Sequence, residues 1–361
     1  MRQAALIVSE SLKKLVGKLY SGCRELQLPG QLPPPLRTGD WRFFSYGRHA
    51  LCEALVLAGV GKGDAVLLPE YVCRDVLSAV NALGAHVEYY PVGVDLQPAA
   101  VLDQLPPARA VLAIDYFGFP QALAPFRAYC ERTGARLIED NAHGFLSRDE
   151  DGTYLGRRGD IGIFSFRKSI PLVNGSGLVV NHPEKVSPPG PQLPFVVHAR
   201  SRMFGIKKFL RHLPAWNMTG LLYGLIGLDR WMRKQRTGSD YVRSGAEAEL
   251  VLPDNPAPDS GLPGALKSLD VDCETARRRA LYAAVEQLVV AHGGVPVFPR
   301  LADGVVPYGF PFRAPEGKIG PLRNTLKRHY MDCYVWPELP SAIESKAVAH
   351  YSSVWMVNFI W

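Results

Sequence analysis

The sequence contains no C-x-x-C pair. Its six cysteines, Cys23, Cys52, Cys73, Cys130, Cys273 and Cys333, are scattered along 361 residues, so neither a zinc site nor a disulfide framework is suggested. A reducing cytoplasm suits such a chain. There is also no unbroken apolar run that could cross a bilayer. The most apolar segment, 213–228, is interrupted by Pro214, Trp216, Asn217 and Thr219 and is shorter than the roughly 20 residues a spanning helix needs. The N-terminus lacks the continuous apolar core of a signal peptide; Leu6, Leu12, Leu15 and Leu19 recur among polar residues, which predicts an amphipathic helix. A dense basic stripe is missing as well, since 41 Lys and Arg stand against 34 Asp and Glu for a net charge of +7. That mild excess suits anionic or phosphorylated ligands and argues against a nucleic-acid partner. With 47% hydrophobic and 21% charged residues, the composition is that of a folded globular chain.

The turn formers, 34 Gly and 30 Pro, punctuate a regular pattern. PGQLPPPLRTGD over 29–40 separates the N-terminal helix from the main body. GRHALCEALVLA places Ala50, Leu51, Ala54, Leu55 and Ala58 on one helical face, and VLLP then reads as a buried strand. A helix over 73–83 and strand HVEYYPV follow, then strand AVLAIDYF, a helix over 123–133 and strand RLIED. This alternation predicts a mainly parallel sheet with helices on both faces, whose ligands sit beyond the carboxyl ends of the strands, near Pro69, Asp115 and Asp140. GDIGIFSF and GLVVN form a further strand pair around RKSIPLVNGS. After a linker at DNPAPDSGLPG, a long helix over 271–292, strands in VPVFPRL and VPYGFPFRA, and a helix over 318–330 predict a smaller α+β unit. The expected organisation is therefore 1–40 (helix and linker), 41–255 (large α/β domain) and 256–361 (small C-terminal domain).

Several residues on the predicted ligand edge could carry chemistry. Asp140 ends an apolar strand, where it could cap the next turn or hold a proton on a heterocyclic nitrogen, with His143 three residues on touching the same ligand. Lys168, with Ser165 and Arg167 in FSFRKS, could be an ordinary surface lysine. It could equally be an amine nucleophile whose proton is disfavoured by apolar walls and by Arg167, while Ser165 and Arg167 suit a phosphate. Gly47 and Arg48 open a helix and read as an anion cradle or an ordinary turn. Tyr71 offers a flat face for an aromatic cofactor, or belongs to the core.

The blocks GRHALCEAL, GKGDAVLLPEYVC, YYPVGVDL, IDYFGFP, LIEDNAHG and GDIGIFSFRK, followed in order by KSLDVDCETARRRALYAAVEQL and VPYGFPF, resemble the DegT/DnrJ type of pyridoxal-phosphate-dependent sugar aminotransferases, of the aspartate-aminotransferase fold group. The resemblance implies fold type I: a mainly parallel seven-stranded sheet in a large domain, with a smaller α+β domain. It implies pyridoxal 5'-phosphate as cofactor, with Lys168 as the Schiff-base lysine and Asp140 on the pyridine nitrogen. His143 would contact the ring oxygen, Ser165 and the Gly47–Arg48 turn would hold the phosphate beside Arg167, and Tyr71 or Cys73 would lie in the ring-stacking segment. Three departures stand out. The lysine lies closer to the serine than is usual, and the turn after it reads Asn174-Gly175-Ser176-Gly177. The family's Asn-x-Arg segment is missing, since Asn217 lacks the arginine, and the chain stops at NFIW where relatives continue.

The expected function is an aminotransferase that moves an amino group from an amino-acid donor to a keto-sugar, nucleotide-linked, in polysaccharide or glycoside biosynthesis. The rival expectation is an inactive relative that keeps the fold as a binding or scaffold protein in surface-polysaccharide assembly. A cytoplasmic homodimer is expected, with peripheral membrane contact through the basic segment 207–236 as the competing fate of the apolar run.

Overall fold

The computed structural model of the chain describes residues 32–99, 101–170, 172–198, 245–329 and 331–359. The helix expected at the N-terminus and the segment 207–236 lie outside the described residues. Strands β1 (Asp40–Phe44), β2 (Ala65–Pro69), β3 (His86–Tyr90), β4 (Ala110–Ile114), β5 (Arg136–Asn141), β6 (Ile161–Phe164) and β7 (Ser176–Val180) form one seven-stranded sheet in the order β1-β7-β6-β5-β4-β2-β3. The neighbours from β3 to β6 are parallel, while β7 runs antiparallel to both β6 and β1. Every residue of β4, β6 and β7 is buried, as expected of strands covered on both faces.

Helix α1 (Gly47–Leu57) buries Ala50, Leu51, Ala54, Leu55 and Leu57 against β6 and β7, which is the face its sequence spacing predicts. The helix expected over 73–83 is shorter, a 3-10 turn at Arg74–Val76 running into α2 (Leu77–Asn81). Helix α3 (Ala124–Thr133) stops at Gly134, whose φ of 76° closes the last turn in the left-handed region that glycine tolerates. The strand expected in AVLAIDYF ends at Ile114, because the chain turns at Tyr116–Gly118 with Phe117 at φ 57°.

A second, antiparallel sheet is ordered β10-β11-β9-β8, from β8 (Val295–Pro296), β9 (Gly309–Arg313), β10 (Cys333–Val335) and β11 (Val354–Asn358). The stretch VPVFPRL supplies only two paired residues, since Pro296 and Pro299 have no N–H to give a ladder. Helices α4 (Leu262–Lys267) and α5 (Val271–Ala291) precede this sheet. Leu262 and Leu266 of α4 join Phe145, Phe164, Phe166, Ile170 and Val306 in one buried cluster, while α5 packs on β8 and β9. Two more ties join the region before α4 to the large sheet: Ser45 N–H donates to the Pro256 carbonyl at 2.9 Å, and His49 Nε2 meets the Pro253 carbonyl at 2.7 Å. Among the described residues no helix is long and apolar enough to cross a membrane. Cys52, Cys73 and Cys130 carry free thiols, whereas Cys273 is disulfide-bonded. The scattered cysteines, which suggest no disulfide framework, thus include one that is bonded, and their spacing alone does not mark it.

Strand β6 leads into the lysine loop and depends on a residue without a side chain. A Cβ on Gly162 would stand 1.8 Å from the Gly156 carbonyl oxygen, and backbone cannot move aside as a flexible side chain can. Gly162→Ala is expected to destabilise the fold by about 3 kcal/mol, read as a lower urea midpoint. Gly190→Ala, whose added methyl meets nothing within 4 Å, should leave the midpoint unchanged.

Candidate active site

Strand β5 carries the acid expected at the ligand edge. Successive side chains of a strand face opposite sides of a sheet, so Glu139 and Asp140 part company. Glu139 is fully buried and accepts from Arg158 Nε at 2.7 Å, and Arg158 also reaches Asp115 at 2.8 Å. Two carboxylates share one guanidinium, and burial, then the neighbouring Glu139, push the Asp115 carboxyl well up. Asp115, placed by the sequence at the same edge, therefore serves this structural network. Asp140 faces the other way, with Oδ1 accepting the Ala142 N–H at 2.9 Å. Burial raises its carboxyl, opposed by the positive charge of Lys168 and by the Ala142 N–H.

Lys168 ends a 3-10 turn, Phe166–Lys168, that follows β6 directly. Its Nζ lies 3.0 Å from His143 Nε2 and 5.9 Å from the centre of the Tyr308 ring. Burial lowers its ammonium; Asp140 opposes this, Arg167 reinforces it, and Cys73 and Asp75 oppose it more weakly. His143 is buried, stacked on Tyr308 at 4.7 Å and 7° between ring planes, with Trp336 edge-on at 5.1 Å. On its far side the Phe117 amide donates to His143 Nδ1 at 3.1 Å. A neutral imidazole with Nδ1 accepting carries its proton on Nε2. The 3.0 Å contact then joins the Nε2 side of the ring to the Lys168 amine, whose ammonium burial disfavours. Burial and the charge on Lys168 hold the His143 imidazolium well below its usual range, in keeping with a neutral ring.

The anion cradle is assembled from two elements. No side chain caps the N-terminus of α1, and a Cβ on Gly47 would meet only Ser165 Cβ, at 3.8 Å. His49 and Ala50 N–H donate to the Tyr46 carbonyl at 2.9 and 3.3 Å, so the first-turn amides beside the buried Ser165 hydroxyl are those of Gly47 and Arg48. Arg48 is half-buried, its guanidinium 5.6 Å from the Tyr46 ring centre and 3.9 Å from Asp75. Arg167 is exposed at the rim.

The structure thus brings Asp140, His143 and Lys168 together and sets Gly47 against Ser165. Cys73 is half-buried on the same side, its thiol pushed up to about 11 by burial and by Asp75. Tyr71 is not brought to the amine: it is fully enclosed in a cluster with Tyr116, Trp336 and Tyr351 and donates its hydroxyl proton to the Trp336 carbonyl. Burial raises that hydroxyl well above its ordinary value. The aromatic faces around His143 come from Phe117, Tyr308 and Trp336, which sequence reasoning did not single out. The signal for Tyr308 was its place in VPYGFPF, a polar-tipped ring in an apolar run.

A sheet in this order, with an amine, an acid and a helix N-terminus at its carboxyl edge, has the fold of the pyridoxal-phosphate-dependent sugar aminotransferases. An aminotransferase, TlmJ, from Streptoalloteichus hindustanus superimposes with a TM-score of 0.59 at 19% identity, over 88% of this chain and 80% of that one. A DegT DnrJ EryC1 StrS aminotransferase from Brucella abortus gives 0.59 at 17% identity, over 99% of this chain and 92% of the other. More particularly, residues 44–187 match the profile of the DegT/DnrJ/EryC1/StrS aminotransferase family, the family that the sequence blocks resemble. L-glutamine:2-deoxy-scyllo-inosose aminotransferase of Streptoalloteichus tenebrarius is 36% identical over 137 residues, 36% of this chain and 32% of that protein. The chain therefore matches about a third of the length of this curated relative.

The depressed Lys168 ammonium has a sign that can be tested. Because burial disfavours the charged amine, the folded chain binds fewer protons there than the unfolded chain, whose lysine titrates near about 10.4. Stability contributed by this group therefore rises with pH between the folded and the unfolded value. Lys168→Met abolishes that slope. Whatever constant offset the lost contacts add, the stability of the parent relative to Lys168→Met should grow as pH rises from about 7 to about 10. Urea melts at a series of pH values check this, and parallel curves would mean an ordinary amine.

Proposed function

We propose that the chain is a pyridoxal-phosphate-dependent aminotransferase acting on a keto-sugar, nucleotide-linked, with an amino acid as donor. The observation that carries this reading is the Lys168 amine, 3.0 Å from His143 Nε2, on the edge where Asp140 also faces. The residues present fit the cofactor: the Gly47 and Arg48 amides at the start of α1 and the Ser165 hydroxyl for a phosphate, a buried acid for a ring nitrogen, and an amine whose ammonium burial disfavours for an aldehyde. When bound, pyridoxal phosphate supplies an electron sink for charge that develops on the substrate carbon. Lys168 would hold the cofactor covalently and, once released, carry a proton to and from that carbon. Asp140 would keep the ring nitrogen protonated, and His143 would orient the ring through its oxygen. Ser165, Gly47 and Arg48 would anchor the phosphate, with Arg167 adding positive charge at the rim.

Residues 41–255 would form the cofactor-binding unit and 256–361 the small unit, a division supported by the two separate sheets. A cytoplasmic homodimer belongs to the same reading and is supported by the family resemblance.

Incubation with pyridoxal phosphate, borohydride reduction and peptide mapping should place the label on Lys168 and turn the unreduced protein yellow. Label on another lysine would overturn the site. Absence of label from saturated protein would favour the scaffold reading. Asp140→Asn should keep the fold and lower transamination about a hundredfold or more, because a neutral amide holds the ring proton poorly. Near-parental turnover would make Asp140 a turn-capping residue only.

A further inference from the structure

Arg278 on α5 is among the largest side chains enclosed completely by the protein, at 1% exposure, far in sequence from the lysine loop. Burying a guanidinium is costly unless its donors are satisfied. Here its Nε donates to Glu274 Oε1 at 2.6 Å, one turn earlier on the same helix. Burial would raise the Glu274 carboxyl, but the guanidiniums of Arg278 and Arg277 outweigh it and hold it low. The remaining donors of Arg278 leave the helix. One terminal nitrogen reaches the Ser169 carbonyl at 2.9 Å and, at 3.5 Å, that of Lys168. The other reaches the Pro307 carbonyl at 3.2 Å.

These carbonyls belong to two segments that meet again at the amine. Lys168 touches His143, His143 stacks on Tyr308, and Tyr308 follows Pro307 directly. The contacts close into a ring: guanidinium, lysine loop, amine, imidazole, tyrosine, Pro307 carbonyl, guanidinium. We propose that Arg278 is a positioning residue: its guanidinium fork holds the Lys168 loop and the Tyr308 segment at a fixed separation and so sets where the Lys168 amine stands against His143. The proposal rests on Lys168 being the reactive lysine. Lysine at position 278 would keep the charge but not the planar fork that spans four acceptors.

The groups facing the Lys168 amine are Asp140 from β5, His143 after it, Arg167 in its own turn, Cys73 and Asp75 after β2, and Tyr308 before β9. None is altered in Arg278→Lys, so a change in the amine reports its position. The test is competitive labelling of the full-length, cofactor-free protein with trace acetic anhydride, read by mass spectrometry as the pH profile of the Lys168 peptide. Arg278→Lys should move the midpoint about one pH unit up toward ordinary lysine as the loop opens to water. It should also slow covalent uptake of pyridoxal phosphate about tenfold. Glu274→Gln, which keeps an acceptor for Nε, should shift the midpoint the same way by less and serves if Arg278→Lys fails to fold. Val289→Ala, a core truncation on the same helix, should lower stability and leave the midpoint in place. A parental midpoint and uptake rate in the folded Arg278 or Glu274 variant, or an equal shift in Val289→Ala, would overturn the proposal. The functional reading fails separately, through borohydride labelling of the unmodified chain; the acetylation profile needs no cofactor and still reports on Arg278.

Discussion

Two consecutive acids on β5 must each find a cation, because they point to opposite faces of a sheet that is buried on both sides. Unpaired carboxylates there would cost more than a small domain can tolerate. Glu139 is met by Arg158, which arrives from the loop before β6 and serves Asp115 as well. Asp140 has no arginine. Its positive neighbour is Lys168, delivered by the turn after the next strand. The same alternation therefore separates a static ion pair, which braces β4 and β5, from an acid whose partner is an amine that can lose its proton.

That partner is held in a particular state by backbone geometry. Phe117 adopts φ 57°, a conformation uncommon outside glycine, and its amide donates to His143 Nδ1. The imidazole is left with its proton on the side of Lys168. Tyr308 and Trp336 then close over the imidazole, bringing the second sheet and its approaches to the edge of the first. The Phe117 carbonyl in turn accepts the Tyr308 N–H at 2.8 Å. One residue thus orients the histidine with its N–H and fixes the tyrosine stacked on it with its carbonyl.

What the sequence reveals and what it hides divide along contact range. The parallel strands are legible because βαβ units alternate two periods over short stretches, and Asp140, His143, Ser165 and Lys168 are legible because strand ends are where such sheets place ligands. Of these, His143 lies at 3.0 Å from the Lys168 amine and the charge of Lys168 acts on Asp140. Hidden features depend on partners far along the chain. Tyr71 reads as a candidate stacking ring until Trp336 and Tyr351 enclose it. Arg278 is one of three consecutive arginines on a long helix, and nothing local sets it apart until the lysine loop lies against it. Asp115 looks like a ligand-edge acid until Arg158, 43 positions away, claims it. No local pattern encodes those meetings, since each depends on how the two sheets are set together.

The close spacing of serine and lysine follows from local geometry. In the motif FSFRKS the lysine is the third residue after the serine, which in an extended loop would turn the two side chains apart. The chain instead makes a 3-10 turn, with Lys168 N–H donating to the Ser165 carbonyl at 3.1 Å and Ser169 N–H to that of Phe166 at 2.8 Å. The turn, opened by an extended Ser165, folds the chain back so that Lys168 stands close over the Ser165 carbonyl. Phe166, between them, points into the buried cluster with Phe145 and Phe164 and anchors the turn. A longer loop could bring an amine to the same edge with more freedom; here the tight turn, the buried phenylalanine and the carbonyls gripped by Arg278 leave Lys168 little room except against His143.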